Sequence, residues 1–394
     1  MYRKLTADSI FTGTQLLPEG YVLITDEKGV IIEIVPVANA GEDIEKFKGV
    51  LTPGFINAHC HLELSHLKGL IPEHTGLTDF VFKIITQRQS DEDIILQAIK
   101  NAEDEMLQNG IVAVGDICNT SYSIQQKKLN SLLYRNFIEV TGFVPATAQQ
   151  RFNAAMDVFT QFEEIAPDRT SLVPHAPYSV SPELFRLINN LEKNCLLTIH
   201  SQETTEEDLF FKTGTGDFLR LYKQLGIDLL FYKPTGKTSL QSILPYLNKQ
   251  QQLILVHDVT TTASDIAFAA EQVASKMLKS VYFCLCPNAN LYISNVLPNI
   301  SQMIQHNCTI VLGTDSLASN RQLSILEEMK TLQHHLPQLT LAQLLQYATL
   351  NGAQALQMEN SLGSFKKGKK PGVILIDNLY KHTLTNASSA KRIL

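Results

Sequence analysis

The sequence predicts an α/β protein, a (β/α)8 TIM-like barrel with a small β-sandwich domain formed by both chain termini. Three observations carry that prediction. From residue 51 onward, short apolar runs alternate with amphipathic stretches, the pattern of repeated βα units around a parallel sheet. There are eight such runs, the number that closes a barrel. The segments left over, one at each end, are β-rich and have no helical partner.

In chain order, the first unit is residues 1–50, where β-rich runs at 21–25 and 30–37 flank the turn-forming 26–29, a hairpin signature. The barrel strands are expected at 51–58, 111–117, 137–143, 171–174, 195–199, 253–256, 281–285 and 309–313. Between them lie helices such as 91–108, with Ile94, Ile95, Ala98, Ile99, Ala102 and Met106 on one face, and 182–192, capped by Ser181 with proline in the first turn. Two further helices, 323–335 and 341–357, follow the eighth strand. A basic turn, FKKGKKPG, then leads into a last β run at 373–376. That run belongs with the N-terminal β unit, so residues 1–50 and 364–394 make the small composite domain and 51–363 the barrel.

Composition narrows the function. Lys+Arg 33 against Asp+Glu 39 gives a net charge of −6 over 394 residues, without the basic footprint that grips a phosphate backbone; nucleic acid is not an expected partner. A hydrophobic fraction of 44% with Gly 20 and Pro 15 excludes disordered and low-complexity classes. No apolar run approaches the roughly 18 residues of a membrane span, and Asp8, Thr12 and Gly13 break any signal-peptide core, so a cytoplasmic protein is expected. Cys60, Cys118, Cys195, Cys284, Cys286 and Cys308 have no CxxC spacing and read as reduced core thiols.

The chemistry begins at PGFINAHCHLELSH, where His59 and His61 end an apolar strand. Side chains two apart on a strand project to the same side, so both imidazoles can meet one ion at the mouth of a barrel. Four later strands end in the same way: His175 in SLVPHAPYS, His200 in CLLTIHSQE, His257 in LILVHDV and Asp315 in TIVLGTDS. Chance histidines scatter over helices and loops, as His66, His74, His306, His334, His335 and His382 do. Other motifs fail: TGKT at 235–238 lacks the earlier glycine of a phosphate loop, and GTG at 214–216 lacks the third glycine of a dinucleotide fingerprint. The HxE…PCxxC zinc signature of the cytidine-deaminase fold is also absent.

The succession PGFINAHCH, HAPYS, IHxxE, VHDV and GTDS resembles the amidohydrolase superfamily, in its mononuclear deaminase and chlorohydrolase branch. The resemblance covers essentially the whole chain. It implies that His59, His61, His200 and Asp315 hold one divalent ion, Zn2+ or alternatively Fe2+, with an open position for a water whose pKa falls to roughly 7. Residues 171–180 contain no lysine to bridge a second ion, and His175 stands in its place.

The activity implied is hydrolytic deamination of an amino-substituted heteroaromatic ring, such as an aminopurine nucleoside, aminofutalosine or an adenosine derivative, by a metal-activated hydroxide. Asp315 takes the proton from water, His257 holds the water and the developing alkoxide, and Glu203 protonates the ring nitrogen. Glu206, Glu207 and Asp208 are expected only to complement the helix dipole. His175, Glu63 and Ser316 are expected to contact substrate, Glu63 equally suiting a structural salt bridge. The HLELS and HAPYSVSPEL segments look more like the aminofutalosine deaminase group than like guanine deaminase, while Asn288 in CPNANLYI departs from relatives. The alternatives are chlorohydrolase-type displacement on a halogenated or N-alkylated ring, and a catalytically dead barrel scaffold, which the presence of all five metal and acid groups disfavours. A homodimer is expected from the resemblance.

Overall fold

The computed structural model describes residues 2–394. Its centre is a ring of eight parallel strands: β1 (Phe55–Cys60), β2 (Ile111–Cys118), β3 (Leu133–Val140), β4 (Thr170–Pro174), β5 (Leu196–Ser201), β6 (Gln251–His257), β7 (Leu278–Leu285) and β8 (Thr309–Leu312). Strands β1 to β4 pair in sequence order, as do β5 to β8. The ring is completed where His200 N–H donates to the His175 carbonyl at 2.9 Å and where Cys60 bridges Asp315 in parallel. One apolar core runs through the barrel interior and under its helices, from Phe55 and Phe137 to Leu312 and Leu344.

The expected strand 51–58 is two strands. Val50–Pro53 pairs antiparallel with Val373–Ile376 and parallel with Ser9–Phe11 in a terminal sheet, and only β1 enters the barrel. The break falls at Gly54, where a Cβ would stand 2.2 Å from Val112 Cγ1 and 2.8 Å from the Pro371 carbonyl, so the chain passes between the two units only without a side chain. The terminal unit stacks this five-stranded sheet on a four-stranded one containing the hairpin Tyr21–Asp26/Ile31–Pro36. Leu5, Ile10, Leu23, Leu51, Val373 and Leu375 fill the space between them.

Strand β3 starts four residues before the expected 137. Its extra length carries Arg135 and Asn136, which look unlike a buried strand until their partners are seen: Ser171 Oγ at 3.0 Å and Lys127 Nζ at 2.9 Å. Helix Glu92–Gln108 buries Ile95, Ile99, Ala102 and Met106, but Ile94 is 53% exposed, because the inward stripe starts one residue later. Helix Pro182–Asn190 is capped by Ser181 as expected and ends two residues early, where Leu191 turns extended. The expected helix 341–357 is broken at Tyr347–Asn351 by a π turn. Cys60, Cys118, Cys284 and Cys286 are buried free thiols, whereas Cys195 is exposed. Among the described residues no helix is long and apolar enough to cross a membrane.

A second apolar cluster, with Leu67, Phe80, Phe143, Tyr178, Phe210, Phe218 and Tyr222, roofs the carboxyl ends of the strands. It is drawn from the loops and short helices after β1, β3, β4 and β5, with Ile293 after β7 and Ala318 after β8. The side chains described next lie beneath it and are almost wholly withdrawn from solvent.

Candidate active site

His59 and His61 meet His200 and Asp315 at the mouth of the barrel. Nε2 of His61 lies 3.2 Å from Nε2 of His59 and 3.2 Å from Nε2 of His200, and Asp315 Oδ1 is 3.5 Å from His59 Nε2 and 3.3 Å from His61 Nε2. Ligands held about 2.0–2.1 Å from a tetrahedral zinc stand about 3.4 Å apart, so these separations suit a single small cation. The protonation suits it too. His200 Nδ1–H donates to the His175 carbonyl at 2.8 Å, which leaves the Nε2 lone pair facing inward. Burial, before any other cause, holds His200 down to about 4 and His61 well below the ordinary histidine range, so neither carries a competing proton.

The carboxylate of this set depends on a close backbone approach. A Cβ on Gly313 would lie 2.8 Å from His59 Cβ and 2.9 Å from Cys284 Sγ, so glycine lets β8 lean against β1. Thr314 then locks to Asn57 by two hydrogen bonds, of 2.7 and 3.1 Å, and Asp315 takes a left-handed φ of 56°. Its Oδ2 accepts from Ser319 Oγ at 2.5 Å, leaving Oδ1 for the histidine cluster. Burial would raise this carboxyl, but the His59 hydrogen bond, with His61 and His257 alongside, outweighs it and holds Asp315 well below the usual range.

Glu203 and His257 stand beside the cluster, with His257 Nε2 3.7 Å from Glu203 Oε1. Burial first, then the charges of Asp315 and Glu207, push Glu203 well above the ordinary carboxyl range; no cation pulls it back. Burial drives His257 the other way, to about 3, so its ring is neutral. The backbone is bent to aim both groups: φ is 46° at Gln202, 78° at His257 and 53° at Asp258, non-glycine values of the kind that collect at functional sites. Glu207 accepts from the backbone N–H of Gln202 at 3.1 Å and of Glu203 at 3.3 Å. It is therefore a buried brace for the acid, not the solvated dipole partner expected from sequence.

His175 lies next to His200, with ring centroids 4.8 Å apart. Its Nδ1 is 2.6 Å from Ser179 Oγ, whose own hydroxyl donates to the Ala176 carbonyl, so the lone pair is on Nε2. Glu139, His175 and His200 also bring ligand atoms within 4.8 Å of one another, but His200 Nδ1 is already committed to a carbonyl. Two expected substrate contacts are placed differently. Glu63 is 4% exposed, with Arg88 Nη2 at 2.7 Å on one oxygen and Thr120 N and Oγ1 at 3.0 and 2.8 Å on the other; this is the salt-bridge alternative. Ser316 turns its hydroxyl into its own loop, accepting from Ala318 N at 3.2 Å and facing Ser319 Oγ at 3.3 Å.

Several residues of this site carry no signal of their own in the sequence. Ser319 holds Asp315, Asn290 contacts His257 Nδ1 at 3.0 Å, and Asn119 links Arg88 to Glu139. Only their position just after a strand end could have drawn attention to them. Of the histidines set aside as incidental, His74 and His306 are exposed, whereas His66 bridges the carbonyls of Glu63 and Arg88 at 3.1 and 2.9 Å.

A sequence profile of the amidohydrolase family matches residues 50–393. The chain is 26% identical over 358 residues to an adenosine deaminase of Helicobacter pylori, covering 87% of this chain and 84% of that one. It superposes on a crystal structure of Helicobacter pylori aminofutalosine deaminase in complex with methylthio-coformycin with a TM-score of 0.82, at 21% identity and full coverage of both chains. A structure of an adenosine deaminase from Xanthomonas campestris with bound zinc gives a TM-score of 0.68 at 21% identity, over 95% of this chain and 84% of that one. At these identities the two structural matches establish a common fold.

Proposed function

We propose, from the premise that this chain belongs to the amidohydrolase family, that it is a metal-dependent deaminase of adenine-nucleoside-like substrates, with one zinc ion per chain. The observation that carries the reading is the convergence of His59, His61, His200 and Asp315, all buried, with a buried carboxyl, Glu203, and a neutral imidazole, His257, standing beside them. The first four would hold the ion, which would supply Lewis acidity that lowers the pKa of a water to near neutrality.

The chain's own groups supply the rest. Glu203 arrives protonated and donates to the ring nitrogen next to the amino-bearing carbon, which makes that carbon electrophilic. Asp315 accepts a proton as water adds. His257 steadies the oxygen that becomes the product carbonyl. The carbon–nitrogen bond breaks as the amino group takes the proton from Asp315, and the remaining hydroxyl proton of the added water passes back to Glu203, so that water and the amine become a ring carbonyl and ammonia and both carboxyl groups regain their starting states. His175, with a free Nε2, accepts from the substrate, while Glu63 serves recognition through Arg88, which it holds in place. The apolar roof over the strand ends excludes bulk water from these transfers.

Relatives by sequence that match over most of the chain include adenosine, 5'-deoxyadenosine and 5-methylthioadenosine/S-adenosylhomocysteine deaminases, which supports a purine nucleoside as the substrate class. The test is ammonia release from adenosine, 5'-deoxyadenosine, methylthioadenosine and aminofutalosine, run beside chloride release from a chlorotriazine. Ammonia from at least one nucleoside is expected. Chloride release alone would replace this reading with ring dehalogenation, and no turnover of any compound by zinc-loaded protein would overturn it.

A further inference from the structure

Asn290 sits in the first turns of helix Pro287–Ser294, directly after β7, and is 2% exposed. Its Nδ2 lies 3.0 Å from Nδ1 of His257, while its Oδ1 is buried without a protein partner. The helix that carries it is fixed at both ends. At its start, Asn288 N–H donates to Glu328 at 2.9 Å and Asn288 Oδ1 accepts from Thr331 at 2.6 Å. Further along, the Tyr292 hydroxyl donates to the Ile71 carbonyl at 2.6 Å, and His74 N–H donates to the Tyr292 carbonyl at 2.7 Å. Asn290 therefore meets His257 from a rigid element.

The two sides of the His257 ring constrain each other. A neutral imidazole has one donor and one acceptor nitrogen, and the partner of one decides the role of the other. On the inner side Nε2 looks toward a carboxyl oxygen, Glu203 Oε1 at 3.7 Å. An N–H there has an oxygen to point at. On the outer side an amide N–H at Nδ1 requires a lone pair on that nitrogen. Turning the amide over would set an acceptor against Nδ1, force the proton onto it and exchange the unpartnered carbonyl for an unpartnered buried amide N–H2, the rarer of the two orphans in folded proteins.

We infer that Asn290 is a positioning residue that fixes His257 as its Nε2–H tautomer, so that His257 enters the reaction only as a hydrogen-bond donor to oxygen, neither as a metal ligand nor as the base. The rate consequence rests on the hydrolytic reading above; the tautomer does not.

The test uses zinc-loaded full-length protein with nitrogen-15-labelled histidine, the His257 signals being assigned by their loss in His257→Asn. In the wild type Nδ1 should show the shift of an unprotonated ring nitrogen and Nε2 that of an N–H. Asn290→Asp, whose carboxylate accepts, should move the proton to Nδ1. Asn290→Ala, which removes the donor and adds no charge, should leave the two tautomers mixed. Both variants should keep one zinc per chain and lose at least about tenfold in kcat with little change in KM, because a donated hydrogen bond to a developing oxyanion acts in the transition state. A wild-type His257 protonated at Nδ1, or one whose tautomer is indifferent to both substitutions, overturns the inference. Absence of deaminase activity in the wild type would sink the proposed function and leave the tautomer result standing.

Discussion

On the β1–β2 side of the barrel mouth, buried carboxylates have cations: Arg88 reaches Glu63 at 2.7 Å and Lys127 reaches Asp116 at 2.5 Å. On the β5–β8 side, Glu203, Glu207 and Glu328 are equally buried and have none. Burial raises Glu63 too, but Arg88 and Thr120 pull against it, whereas every influence on Glu203 pushes upward. The difference separates two uses of the same side chain. A carboxylate with a cation partner is held in place and can fix a loop, as Asp116 holds Leu62 N–H at 2.8 Å just past His61; one without a cation is left to burial, which favours the protonated form.

The contrast can be broken most completely at the ion. Asp315→Asn, or removal of the metal with a chelator, is expected to abolish turnover, and re-addition of zinc should restore the wild type but not the variant; metal content and ammonia release measure both. Next in size, Glu203→Gln should keep the zinc and the melting behaviour yet lose about 10²–10⁴ in kcat, the range of a general acid. Near-normal turnover in that variant would remove Glu203 from the reaction and erase the distinction between the two sides.

On the paired side the expected loss is of stability. Lys127→Met leaves Asp116 buried without its cation and should cost about 3–5 kcal/mol in chemical denaturation, while adding Asp116→Asn should recover much of it. A smaller effect sharpens the unpaired side. Glu207 titrates near 7 in the folded chain, raised by burial from 4.5. The native state therefore holds a proton that the unfolded chain has released, and stability falls as pH rises from about 4.5 through 7, by on the order of 3 kcal/mol. Glu207→Gln should gain stability relative to wild type at pH 8 compared with pH 5. Equal differences at the two values would mean that Glu207 is charged throughout.

The barrel was legible because its strands are apolar runs of the right number, and the candidate ligands because each ends such a run; choosing His59, His61, His200 and Asp315 from the six strand-end groups came from the family resemblance. The gaps have one cause. Strand β3 is half hidden by Arg135 and Asn136, and β6 opens with Gln251 and Gln252, all buried; polar residues look out of place in a strand until their partners arrive from elsewhere in the chain. Glu63 illustrates the same limit at the site. Its place after His61 marks it as functional, yet which group it serves depends on Arg88 and Thr120, 25 and 57 residues away.

The sequence by itself determined the barrel and the terminal β unit and pointed to the histidines and Asp315 at the strand ends, because periodicity and strand ends are local properties. Only the tertiary structure decided which carboxyls have cation partners, what faces each nitrogen of His257, and which helper residues hold them. Those depend on burial and on hydrogen bonds such as Asn290 to His257 and Ser319 to Asp315, and proton location is set by what surrounds a group in space, not by what adjoins it along the chain.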